Sequence, residues 1–548
     1  MQQTSSSTIC GMFENYRSIP GITDEVFHDK GVVHPAYIKI LERIRQYTPG
    51  DFNKLDLQAR QSFLKQGITF TVGSDKVQGE ERIFPFDLLP RIIAADEWEK
   101  LEKGVVQRNL AINAFLHDIY QRQHIFKDKV IPRELVISSR YFCRAMQELN
   151  PAGGIYNHIS GTDLIRHSDG EYYVLEDNVR TPSGISYVLA NREAIKRSLN
   201  GLFSSCHVRP LKEYLDHLLI MVHSVAPQGV EEPACAVLTD GMVASAYFEH
   251  AYLAQSMGIP LVEGRDLFVE KDKVYMKTTR GAQQLNVLYR RVEDEFLDPL
   301  AFLPDSVYGV PGIMEAYRKG NISLINAPGT GAADDKAVYS YVPAMIRYYL
   351  QEEPILQNVH TYHCTDDEDY HYVLEHMQKL VVKPVDEFGG YGMLVGNAAT
   401  KEQLQDFRTR IRHNRRKYIA QPIMSLSTHP TFIKDSSSFE PRHIDLRLYT
   451  LLGKDMQYVL QGGLTRVALT AGNLVVNSSQ GGGSKDTWVL APTDVASTDR
   501  TAMNKVPADS DGEAYTHAKM LHAVKDRKPL SQQQLAHTHK KGNRKPKS

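Results

Sequence analysis

Three oxygen-bearing side chains in "GTDLIRHSDGEYYVLEDNVRTPSG", residues 161–184, are spaced so that they could share one cation. Asp169–Gly170 between two apolar-alternating runs is a strong hairpin signal. With those two residues as the loop, counting outward sets Asp163 directly opposite Glu176, and Asn178 follows two residues later on the same face. Opposed carboxylates repel unless a cation, a base or a proton separates them. A hard divalent ion such as Mg²⁺ takes oxygen ligands of this kind and completes its shell with substrate phosphates and waters. A solvent-facing polar edge would give the same letters. Leu164, Val174 and Leu175 argue for a half-buried sheet, where an unpaired acidic pair is costly.

A second candidate lies two hundred residues on. In "VVKPVDEFGGYGMLVG", residues 381–396, Lys383 ends an apolar, β-branched run and Gly389, Gly390 and Gly392 follow in a turn. Glycines let backbone N–H groups approach phosphates, and a strand-borne lysine adds a point charge. An ordinary glycine hairpin with a solvated lysine has the same pattern. No Gly-Lys-Ser/Thr opens a helix here, which excludes a Walker loop. No His-Arg-Asp or Asp-Phe-Gly follows, which excludes a protein kinase.

The elements that must position these groups are legible in outline. Residues 1–135 read as mainly helical, with "EWEKLEKGVVQRNLAINAFLHDIYQRQ" at helical spacing. Residues 136–200 carry the metal-binding hairpin. From 201 to 320 strand and helix alternate ("ACAVLTD", "SAYFEHAYLAQSMG", "IPLVEG", "LNVLYRRV"), which predicts a Rossmann-like parallel sheet. Residues 321–490 are strand-rich after a helical stretch, and 491–548 read as a disordered basic tail.

Composition narrows the function classes. A 548-residue chain with 24% charged residues and a net charge of -1 forms two to four packed units and suits no polyanionic partner, so no nucleic-acid role is expected. The five cysteines are odd in number and lack a CxxC pair, which argues against a disulfide framework or zinc site and for a reducing cytoplasm. Neither a signal peptide nor an apolar run long enough to span a bilayer is evident.

Together these segments resemble ATP-grasp ligases, and most of all the synthetase domain of glutathionylspermidine synthases and the circularly permuted ATP-grasp proteins. In ordinary ATP-grasp enzymes the Glu-x-Asn magnesium pair comes after the lysines and the glycine lid; in the permuted group it comes first. Here "LEDN" (175–178) precedes Lys336 in "GTGAADDKAVYSYVPAM", then Lys383 with "DEFGGYG", then "YIAQP" (418–422). The likeness covers roughly residues 75–490 and implies an α/β, circularly permuted ATP-grasp fold. It implies that Asp163, Glu176 and Asn178 bind Mg²⁺ bridging the ATP phosphates and that Lys336 and Lys383 contact phosphate. Gly389, Gly390 and Gly392 would then form the lid, and Gln421 the adenine hinge, with Ile419 and Ala420 offering backbone groups.

Asp445 and Arg447 alternate with apolar residues on a strand, so both could face the cleft, and Arg466 is the best candidate to stabilise an anionic reacting centre. Lys485 sits in another glycine-rich loop. Salt bridges on a sheet edge would explain these last residues nearly as well. The synthases carry an arginine where this chain has Gly161, and their amidase domain has no counterpart, so glutathione and spermidine are not supported. The missing arginine must come from elsewhere, with Arg180 and Arg466 as candidates. Arg144, Arg180, Ser183 and Arg291 are candidate substrate contacts. The implied reaction joins a small-molecule or peptide carboxylate to an amine through an acyl phosphate. A phosphotransferase or a non-catalytic nucleotide binder are the alternatives, and the oligomeric state is open.

Overall fold

The computed structural model describes residues 11–28, 31–72, 80–199, 201–387, 390–476 and 481–492. The expected basic tail lies outside the described residues from 493 onward, as does Gly389.

One long strand, Ser438–Gly453, organises the largest sheet, because its apolar residues are buried on both faces and leave no solvent side. The hairpin strand Ile159–Arg166 pairs with it on one edge and Leu464–Val467 on the other, both antiparallel. Outward on one side come Tyr172–Asn178 and Gln357–Asn358; on the other come Gly483–Val489 and Phe86–Ile93. With Thr428–Ile433 and Met456–Val459, which also pair with the long strand, the sheet has nine strands. The N-terminal region is therefore not only helical. It contributes Phe86–Ile93, which lies parallel to Gly483–Val489.

A separate sheet of four antiparallel strands runs Tyr362–His363, Tyr418–Pro422, Leu380–Pro384, Leu394–Val395. It has its own core of Val373, Val382, Leu404, Phe407 and Ala420. The helix Lys401–His413 covers it, opened by a capping box between Thr400 and Gln403. The third sheet is the parallel one that the alternating segments predict, ordered Ser323–Ile325, Val287–Arg290, Cys235–Thr239, Leu261–Glu263.

Two buried polar anchors fix the hairpin from behind. Asp177 points away from Glu176 and Asn178, as strand alternation requires, and accepts from Arg108 on the helix Ala95–Tyr120 at 2.5 and 3.2 Å. Asn326, at the end of the parallel sheet, accepts from the backbone N–H of His158 and Ile159 at 2.7 and 2.8 Å and donates to Ile159 O and Val179 O. Both ends of the hairpin are thus held to the parallel sheet.

Candidate active site

The hairpin reaches its expected pairing by two compensating departures. The loop has three residues rather than two: His167 N–H donates to Glu171 O at 2.9 Å, and Gly170 takes the left-handed conformation at φ +85°. The resulting one-residue offset is undone by a bulge between Asp163 and Leu164, so Asp163 pairs with Glu176 and Gly161 with Asn178.

Around this pair the large sheet and the small sheet form a cleft. Its polar lining is Asp163, Glu176, Lys336, Lys383, Gln421, Asp445 and Arg466, with Gly390 at the rim. Its apolar walls include Val381, Met393, Met424, Leu426 and Val476. Lys336 Nζ lies 3.2 Å from Glu176 Oε2 and donates to Glu387 O at 2.5 Å. Lys383 donates to the amide oxygen of Gln421 at 2.7 Å. Burial lowers the Lys383 ammonium to about 8, against the opposing pull of Glu176.

Asp163, Asp445, Arg447 and Arg466 form one buried network, because sheet register sets Asp445 beside Arg466 and Arg447 beside Asp163. Arg447 clamps Asp163 with two bonds of 2.6 and 2.8 Å, and Arg466 reaches the same carboxylate at 2.8 Å while also gripping Asp445. Burial pushes the Asp163 carboxyl up, but Arg447 and Arg466 outweigh it and hold it well below the usual range. Burial raises the Asp445 carboxyl despite Arg466.

Several expectations need correction. Ile419 and Ala420 cannot offer a free backbone edge, since their strand is paired on both sides, with His363 and Lys383 flanking Ile419. The cleft is instead lined just past them, by Gln421, Pro422, Met424 and Leu426. The apolar letters of "QPIMSLS" were the available signal. Lys485 is turned to the other face of the sheet: its neighbour Ser484 pairs with Arg466, so alternation sends Lys485 away from the cleft. Its ammonium is buried on Asp87, Leu89 O and Pro430 O. Arg447 stands behind Asp163 rather than in the cleft lining.

Arg180 bridges Asp334 and Glu293, each at 2.8 Å, and lies over the Tyr141 ring. It lines a small recess beside the cleft with Glu176, Asn178 and Lys336. Ser183 and Arg291 are bonded to each other, and Arg291 also contacts Pro182 O and Glu249. They are internal contacts rather than a surface for substrate.

A family model described as "Circularly permuted ATP-grasp type 2" matches residues 90–468. The chain belongs to this family. It is 50% identical over 467 residues to an uncharacterised protein of Synechocystis sp. PCC 6803, covering 85% of this chain and 96% of that one. A protein of Frankia alni, provisionally named a glutamate–cysteine ligase, is 40% identical over 87% of this chain but only 54% of its own length. Among solved structures, a glutathione synthetase-like effector from Globodera pallida superposes with a TM-score of 0.54 at 11% identity, covering 81% of this chain and 98% of that chain, which bears on fold alone. The likeness is to the permuted ATP-grasp family as a whole rather than to glutathionylspermidine synthase in particular.

As a permuted ATP-grasp ligase, the protein catalyses ATP-dependent amide or peptide-bond formation through an acyl phosphate. The cleft suits the nucleotide. A lysine with a depressed pKa and an amide as its hydrogen-bond partner gains from an incoming anion, and the apolar walls suit a base. Among the described residues no three His, Cys, Asp or Glu side chains gather into a metal cage.

Proposed function

We propose that ATP lies between the two sheets with its base against Val381, Met424 and Leu426 and its phosphates toward Lys336 and Lys383. Glu176 and Asn178, with Asp163 behind them, would hold Mg²⁺, which supplies charge neutralisation at the transferring phosphoryl group. Gly390 and Gly392, both at positive φ, belong to the loop that covers the phosphates. Arg466 is the cleft-lining guanidinium and the best-placed group to stabilise an anionic centre; Arg447 positions it through Asp163.

A substrate carboxylate attacks the γ-phosphate, an amine then displaces phosphate from the acyl carbon, and the chain's part is positioning and charge compensation. The observation that carries this reading is the convergence of Lys336, Lys383 and Glu176 from three distant segments into one cleft. Both substrates are small molecules or peptides in this reading, and the four described cysteines, all free thiols, suit a reducing compartment.

The test is a screen of carboxylate–amine pairs for stimulated ADP release, with mass analysis of the product. An amine-dependent amide is expected. A stable phosphorylated product formed without amine would favour the phosphotransferase alternative.

A further inference from the structure

A second pocket, of about 290 Å³, opens beside the recess that holds Glu176 and Lys336. The two share Tyr141 and Arg180, and the recess shares Glu176 and Lys336 with the nucleotide cleft, so the three adjoin. It sits where Glu293, Asp294 and Glu295 follow the strand Val287–Arg290, at the carboxyl edge of the parallel sheet, the usual ligand position in open α/β sheets. Its size is at the small end of ligand sites, with room for an amino acid and too little for a nucleotide.

The lining carries both signs of charge. Arg140, Arg144 and Arg180 face Glu293, Asp294 and Glu295, with Tyr141, Phe142 and Phe302 as apolar walls. Most of these charges are already engaged. Arg180 pairs with Glu293 and Asp334, Asp294 with Arg290, and Arg140 more loosely with Glu295 at 3.4 Å. Arg144 is exposed at the pocket and has no ion pair or side-chain hydrogen bond among the described residues. A guanidinium with no partner of its own among the described residues is suited to a carboxylate, which it can grip with two parallel hydrogen bonds.

We propose that this pocket binds the acceptor amine, and that the acceptor is an amino acid or short peptide whose free carboxylate is held by Arg144. Its ammonium end points to the acidic side, toward Glu293 and the Arg180 boundary with the phosphate site. The proposal rests on the ligase reading above. In the step it implies, the amine nitrogen bonds to the acyl carbon as the carbon–oxygen bond to phosphate breaks and the electron pair leaves with phosphate. Of the two protons shed by the ammonium, one leaves on the phosphate and the other passes to solvent.

The experiment measures direct binding to the full chain, by ligand-observed NMR, of the twenty amino acids and glycylglycine, with ethylamine and methylamine as carboxylate-free controls. ATP affinity is measured separately on the same samples. At least one amino acid or glycylglycine is expected to bind while the simple amines do not. Arg144→Ala should weaken that probe by about tenfold or more, with ATP affinity kept as evidence of an intact fold. Arg144→Lys should recover only part of the loss, because an ammonium cannot supply the two-bonded grip. Binding of the simple amines as tightly as the amino acids, binding unchanged in Arg144→Ala, or no binding by any probe would overturn the proposal. Loss of ATP binding in the wild-type chain would instead count against the nucleotide site, so the two failures are distinguishable.

Discussion

At Lys383, burial, helped by the neighbouring positive charge of Lys336, lowers the ammonium to about 8 from its usual value near 10.5. Below that pH the charge is present and attracts phosphate; above it the free protein has lost the charge. ATP affinity should therefore fall as pH rises through about 8, and binding near that pH should take up a proton, which calorimetry in buffers of different ionisation enthalpy would detect. Lys383→Arg should flatten the pH profile, and Lys383→Met should weaken ATP by about tenfold to a hundredfold. Gly161 explains the missing arginine in physical terms. A Cβ there would lie 3.3 Å from Arg447 Cδ, so Arg447 reaches over the space that a side chain at 161 would fill. Arg447→Met would leave Asp163 buried beside one guanidinium instead of two. It should destabilise the fold by about 1.5–3 kcal/mol in urea unfolding, the worth of charged hydrogen bonds, because Arg466 still compensates the carboxylate.

The hairpin is the element on which the site depends, and its pairing was legible because apolar alternation and Asp169–Gly170 constrain register strongly. The three-residue loop and the bulge were not legible, because each is a one-residue choice that the other cancels. The segment Tyr418–Pro422 stands out in the sequence only as the hinge that the resemblance implies; that it is a strand, and which strands flank it, comes from the structure. A five-residue run says nothing about whether one edge or both will be paired, and that misplaced the adenine-facing backbone at Ile419 and Ala420. Lys485 failed for a related reason. Its face is set by the register against Arg466, a long-range fact that local spacing does not carry. Gly184 supplies a test at this scale. It adopts φ +118° just before the helix Ile185–Ser198, and a Cβ there would meet Tyr449 Oη at 2.3 Å and Leu464 Cδ2 at 2.9 Å. Tyr449 and Arg447 both donate to Ser183 O, so Gly184→Ala should displace the junction that supports Arg447. A loss of about 1–3 kcal/mol in chemical denaturation is expected; an unchanged midpoint would refute the packing argument.

Across the whole molecule, the permuted order is what separates the Asp163–Glu176 hairpin from Lys383 by about two hundred residues in sequence while the fold brings them into one cleft. The order of motifs therefore revealed the fold class, whereas the cleft walls, drawn from "MSL" and "LVV" segments of ordinary composition, emerged only from the tertiary structure. A ligand gripped by both sheets should stabilise the native chain. Mg²⁺–ATP at about a hundred times its Kd should add roughly 2.7 kcal/mol, read as a rise in melting temperature that Lys383→Met reduces. Glu176→Gln should abolish Mg²⁺-dependent ATP turnover, and turnover that survives would remove Glu176 from the metal set. The central claim, activation of a carboxylate by phosphoryl transfer, is tested most directly by isotope transfer. With the donor carboxylate labelled with oxygen-18, one labelled oxygen should appear in the released phosphate for each amide formed. Phosphate released without label, alongside amide product, would contradict an acyl-phosphate route.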